Sequence, residues 1–248
     1  MVAIEDLPGR IEACFLGALA GEAAAGTAAG AADLLGVGDS AAASDGFDEA
    51  DLRHRGLERP SRGGSAGLLL RALPFGLLSP MDRPRLRRDA YRCVSLAGAD
   101  EGTAVAAVAA AILVADLLRF DLHTALVRVR QSLLEDAPMA LLQRLAVTGL
   151  DELPADVDAD GAAEADPALA LQRAVSAMAV AETLGGVLEA ASGGPSVALG
   201  LAGALAGAHG GREIVAAADR EHLPHADRAI TIAHRLADRA AAAAASRG

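Results

Sequence analysis

Asp156-Val-Asp-Ala-Asp-Gly161 carries carboxylates at alternate positions before a glycine, the pattern with which a tight turn can wrap one hard cation. The bidentate glutamate that would complete a calcium loop belongs six residues after that glycine, where Pro167 stands, and Glu164 comes three positions too early. A solvated acidic loop explains the same residues. His222-Leu-Pro-His225 offers two imidazoles, but zinc needs three or four ligands, and no cysteine or further histidine is near in sequence. A capping turn before a helix is the simpler reading. His123, His209 and His234 read as packing or surface residues. Arg71, in an apolar run, can clamp a carboxylate or phosphate with two parallel hydrogen bonds, or anchor a salt bridge between helices. Neither cysteine has a histidine partner in sequence, and no serine lies in a strained nucleophile turn.

These residues must be positioned by helices. A coarse reading gives helices over 8–25, 66–78, 83–96, 101–118, 121–134, 137–147, 167–190, 195–209, 211–219 and 225–245, with no strand-like alternation. Asp166-Pro167 is a helix start, a capping aspartate before a proline at the first helical position. Residues 27–62, rich in Gly, Ala and Ser, are expected to be a shortened, flexible connection, with 36–62 the most mobile stretch of the chain. Residues 150–166 are expected to be an acidic loop. The fold class is all-α, a compact single-domain orthogonal helical bundle over residues 1–248.

Composition narrows the function classes. A chain of 248 residues can bury a sizeable core without metal or disulfide staples. Its hydrophobic fraction of 52% is mostly alanine, with only four Phe and one Tyr, so its helices must pack closely. All 22 basic residues are arginine, and the net charge of -11 argues against nucleic acid, whose binding rests on phosphate neutralisation. The local exception, Arg83, Arg85, Arg87, Arg88 and Arg92, reads as a solvated helix face or as a site for an anionic partner. Cys14 and Cys93 lie in apolar helical contexts, as reduced buried thiols of a cytoplasmic protein do. The apolar runs 102–115 and 197–208 are too short to span a membrane, and the acidic start lacks the basic leader of an export signal.

Gly200, Gly203, Gly207 and Gly211 recur at spacings of three, four and four, so they fall on one stripe of a helix. Each interior glycine costs about 1 kcal/mol against alanine, so such a stripe is expected only where another backbone comes very close. That helix is expected to be central.

Ala202 to Ala208, Ala-Gly-Ala-Leu-Ala-Gly-Ala, resembles the small-residue helix after the Gly-Gly-Asp-Thr-Asp-Thr signature of the ADP-ribosylglycohydrolase family, also called the dinitrogenase-reductase-activating glycohydrolase family. Ile11 to Gly26 is similar to the family's opening helix, with Glu22 in place of aspartate. Ala66 to Leu78 resembles its Asn-Gly-x-x-Met-Arg-x-x-Pro segment, keeping Arg71 and Pro74 without the asparagine. Ser95 to Asp100 sits at its Thr-His-x-Asp turn, with Gly98 for the histidine and Asp100 kept.

Against the resemblance, Gly194 and Ser196 stand where the family has two metal-binding aspartates, and residues 27–65 hold no Thr-Asp-Asp-Thr motif, only isolated Asp33, Asp39, Asp45, Asp48 and Asp51. What the resemblance implies is a degenerate relative without the two-magnesium site, with no metal and no cofactor. It would be a non-hydrolytic pseudoenzyme binding a nucleotide-like or other small ligand, or a protein partner. The alternatives are an enzyme that reuses the cleft for a metal-independent reaction, and a structural subunit beside an active relative. Candidate cleft residues are Glu22, Arg71, Asp100 and the turn Gly193, Gly194, Ser196, whose amides open a helix. A polar cleft would favour ligand binding, and a cleft filled by Leu or Phe a structural role.

Overall fold

The computed structural model describes residues 6–146, 166–192, 196–215 and 220–246. Among them are twelve α-helices and no strand. In chain order they are α1 (Leu7–Ala24), α2 (Ala29–Ser44), α3 (Glu49–His54), α4 (Gly64–Leu78), α5 (Arg83–Leu96), α6 (Glu101–Leu117) and α7 (Leu122–Leu133). They continue as α8 (Met139–Arg144), α9 (Pro167–Val180), α10 (Leu184–Ala191), α11 (Ser196–Gly210) and α12 (Ala226–Ala245). A 3₁₀ turn, Gly211–Ile214, follows α11.

Short polar side chains start many of these helices. Asp6, Asp48, Asp82, Asp100, Asp121 and Asp166 each accept a hydrogen bond from a backbone amide of the first turn they precede, and Thr183 does so for α10. A carboxylate there satisfies a donor the helix cannot and faces the positive end of its dipole. Part of the acidic surplus is therefore helix punctuation.

The core is laid around α11, in which every residue from Val197 to Ala208 is buried. A Cβ added at Gly203 would stand 2.0 Å from the Gly17 carbonyl oxygen, and one at Gly17 would stand 2.0 Å from that of Gly203. Gly207 faces the Ala13 carbonyl in the same way at 2.0 Å, and Gly21 faces that of Leu199 at 2.1 Å. The order of these pairs makes α1 and α11 antiparallel, with backbone against backbone. The glycine stripe was legible as such, except that Gly211 has φ 68 and ends the helix rather than lining the seam. Around the pair, α12 and α2 lie against α1, α9 and α10 against α11, and α4 links α2 to α5 and α6. The α4 to α6 approach is also close, Gly76 facing the Ala111 carbonyl.

Three sequence expectations fail. Residues 27–62 are not a loose connection: α2 and α3 occupy most of them, and Leu34, Leu35, Val37, Leu52 and Leu57 are buried in the core. The glycines of α2 are small-residue packing positions, Gly38 meeting Phe15 and Ile232, so a composition typical of linkers here serves close helix approach. Residues 167–190 form two helices, because Ala181 is extended and Thr183 caps a new start. The expected helix over 211–219 is only the 3₁₀ turn as far as Ile214, with 216–219 outside the described residues.

Candidate functional site

Glu22, on the last turn of α1, is only 2% exposed. Its Oε2 accepts from Thr27 Oγ1 at 2.8 Å and from the Gly30 amide at 3.0 Å. The residue preceding α2 is Ala28, which has no side-chain acceptor, so Glu22 supplies from the neighbouring helix the cap that α2 lacks. Its carboxylate is packed between the backbone of Gly30, Gly200 on α11 and Leu70 on α4, whose Cδ1 lies within 3.4 Å of where either glycine's Cβ would be.

Arg71 is also 2% exposed. Its Nε and Nη2 hold Asp33 Oδ2 at 3.0 and 2.9 Å, and Nη1 donates to the carbonyls of Leu57 and Arg59, both at 2.8 Å. Ser61 Oγ donates to the same Asp33 oxygen at 2.7 Å. One guanidinium thus ties α4 to α2 and fixes the turn leading out of α3. Of the two readings of Arg71, the interhelical salt bridge is the one built here.

Asp100 is exposed and caps α6, accepting from the Thr103 amide at 2.7 Å. That bond holds its carboxyl below the usual aspartate range. Glu22 and Arg71 serve α2 one turn apart, at Gly30 and Asp33, whereas Asp100 belongs to a third network. No hydrogen bond or ion pair joins any two of the three among the described residues. Ser196 is half-buried at the first turn of α11. Gly193, Gly194 and the acidic hexapeptide 156–161 lie outside the described residues.

Two carboxylates that the fold pairs with arginine, the half-buried Asp33 and the buried Glu12, escaped sequence reasoning. Asp33 looks isolated in sequence, yet a charged Arg71 in an apolar run needs a counter-charge. The run Ala-Ala-Asp-Leu-Leu around Asp33 was the signal that it points inward. Glu12, flanked by Ile11 and Ala13, accepts from Arg212 at 2.8 Å, from Arg220 at 3.2 Å, and lies 3.2 Å from His234 Nε2. Asp39 pairs with Arg228 and Arg235 and Asp45 with Arg85, partners brought by the fold, while Asp51 pairs locally with Arg55 four residues on. The arginine cluster is likewise engaged: Arg83 grips buried Asp116 with two bonds, Arg87 pairs with Asp136, Arg88 with Asp89, and Arg92 lies 4.3 Å over the Phe47 ring.

Burial pushes the Cys93 thiol up to about 12, and Cys14 higher still, so neither is a nucleophile. His222 and His225 bracket the turn before α12, and His225 takes a left-handed backbone there, φ 64, without a side-chain cap bond. The two-magnesium group of the resembled family finds no fitting donor set in these residues. Glu22 and Asp100 are committed to amides, Asp33 to Arg71 and Ser61, and no three or more of the described His, Cys, Asp and Glu converge to hold a metal.

With helices packed on a central glycine-faced helix and a closed polar corner at its head, the class is an all-helical α1–α11 core. No family model and no curated protein matches the chain. A solved structure described as an ADP-ribosylglycohydrolase-related protein complex superimposes with a TM-score of 0.73, covering 93% of this chain and 99% of its own at 19% identity. The fold is therefore that of an ADP-ribosylglycohydrolase-related protein. Among the described residues, no helix is long and apolar enough to cross a membrane.

Proposed function

We propose that this chain is a degenerate, cytoplasmic member of the ADP-ribosylglycohydrolase family that binds a protein partner rather than hydrolysing ADP-ribose through two magnesium ions. The observation that carries the reading is Glu22. The acidic residue aligned with the family's opening-helix aspartate is buried under Leu70 and bound to Thr27 and Gly30, so it works as the cap of α2. Gly98 in place of the histidine, and Gly194 and Ser196 in place of aspartates, support the same conclusion from sequence. Without metal, nothing polarises a ribose oxygen or lowers the pKa of an attacking water. A corner closed by leucine favours a partner-binding role over a nucleotide-like ligand.

Titration calorimetry with magnesium and ADP-ribose, together with an assay of ADP-ribose release from a modified protein, tests the reading. The expected result is neither a two-site magnesium isotherm nor magnesium-dependent release. Glu22→Gln should then cost about 1–2 kcal/mol of stability, as loss of charge-assisted hydrogen bonds does. Micromolar binding of two magnesium ions, or metal-dependent release, would overturn it.

A further inference from the structure

A groove of about 530 Å³ runs between α5, α6 and the C-terminal end of α7. Its floor is Val105, Val108 and Leu133, all buried. One wall is basic, with Arg87, Arg88 and Arg92 on α5, and Tyr91 stands among them 46% exposed. The other is acidic, with Glu101 at the first turn of α6 and Glu135 and Asp136 just past α7. Leu134, between two lining residues, is 65% exposed. Apolar surface of this kind, rimmed by charge, is the form of an interaction site.

The charges choose the occupant. A polyanion or an acidic peptide would be repelled by one wall and a basic segment by the other, so the fitting partner presents apolar residues between a basic and an acidic flank. This face itself has that arrangement. Turned about a two-fold axis, the α5 wall of one copy meets the acidic wall of the other, twice, as isologous contacts require. We propose that the groove is the surface through which two copies of this chain form a symmetric dimer, with Arg88 and Arg92 facing Glu101 and Glu135 across the axis. Arg88 holds the buried carboxylate of Asp89 through Nε, and its side chain is 60% exposed, which leaves its Nη groups for a second carboxylate.

Tyr91 makes the test direct, because the chain has one Tyr and no Trp, so all its tyrosine emission comes from this groove. Sedimentation equilibrium of the full chain from micromolar to near-millimolar concentration is expected to show a monomer to dimer transition, with iodide quenching of Tyr91 falling as dimer forms. Arg88→Glu alone and Glu101→Arg alone should each weaken the dimer about tenfold or more, since each places like charges opposite one another twice. The double variant Arg88→Glu with Glu101→Arg should restore it. A strict monomer over that range, a dimer in which Tyr91 stays fully quenchable, or a double variant no better than the singles would each overturn the proposal. So would a groove that stays open to a second copy but is protected by a different protein.

Discussion

The contact between α1 and α11 is made of backbone, whereas that among α2, α4 and the 57–61 turn is made of charge. In the first, Gly17, Gly21, Gly203 and Gly207 let two helices touch, each facing a backbone carbonyl of the other helix. In the second, Arg71, Asp33 and Ser61 satisfy one another and two backbone carbonyls inside the protein. The seam depends on the absence of atoms and the hub on the presence of particular ones. The first therefore tolerates no addition and the second no removal.

Gly203→Leu breaks the seam most severely. Overpacking usually costs about 1–3 kcal/mol by side-chain adjustment, but here the obstructing atom is a backbone oxygen, so about 4 kcal/mol or more is expected in urea unfolding. Gly185→Ala, on α10 with open space around it, is the matching control and should be neutral or stabilising by up to about 1 kcal/mol. Equal effects for the two glycines would dissolve the distinction between a seam and an ordinary helix.

Removing the guanidinium with Arg71→Met should cost about 3 kcal/mol, the low end for a broken buried pair because Asp33 keeps some solvent and its Ser61 bond. Adding Asp33→Leu should recover part of that loss but not all, since the carbonyls of Leu57 and Arg59 stay without their donor. Full recovery in chemical denaturation would mean that the hub is only an ion pair and does not hold the turn.

Asp100→Ala probes a residue outside both regions and should cost about 1 kcal/mol, as loss of a helix cap does. The sign with pH follows from the Thr103 amide, which lowers the folded pKa: the cap's contribution is complete above the ordinary aspartate value and is lost as pH falls through the folded one. Denaturation curves of the two proteins should therefore converge toward acid, and a gap that widened there would contradict the cap.

The seam was readable in the sequence because its cause is periodic. Gly200, Gly203 and Gly207 advertise one face of one helix, and a stripe needs no knowledge of its partner. Capping aspartates such as Asp166 are readable for the same reason, being local. The hub was not readable, because Asp33 and Arg71 are far apart in sequence and lie on different helices. Alanine and glycine in 29–44 also mimic a linker unless the close packing of Gly38 against Phe15 is known. Of the candidate site, the burial of Arg71 in an apolar run was foreseeable, while the diversion of Glu22 into capping α2 depended on Ala28 being unable to do so.

The pairing of Gly17 with Gly203 joins stretches far apart in sequence, and this has a consequence for its birth on the ribosome. At roughly 5–20 residues per second, α1 leaves the exit tunnel on the order of ten seconds or more before α11 can reach it. For that interval the α1 face that will meet α11 has no permanent cover, and the core is completed only once α11 has emerged.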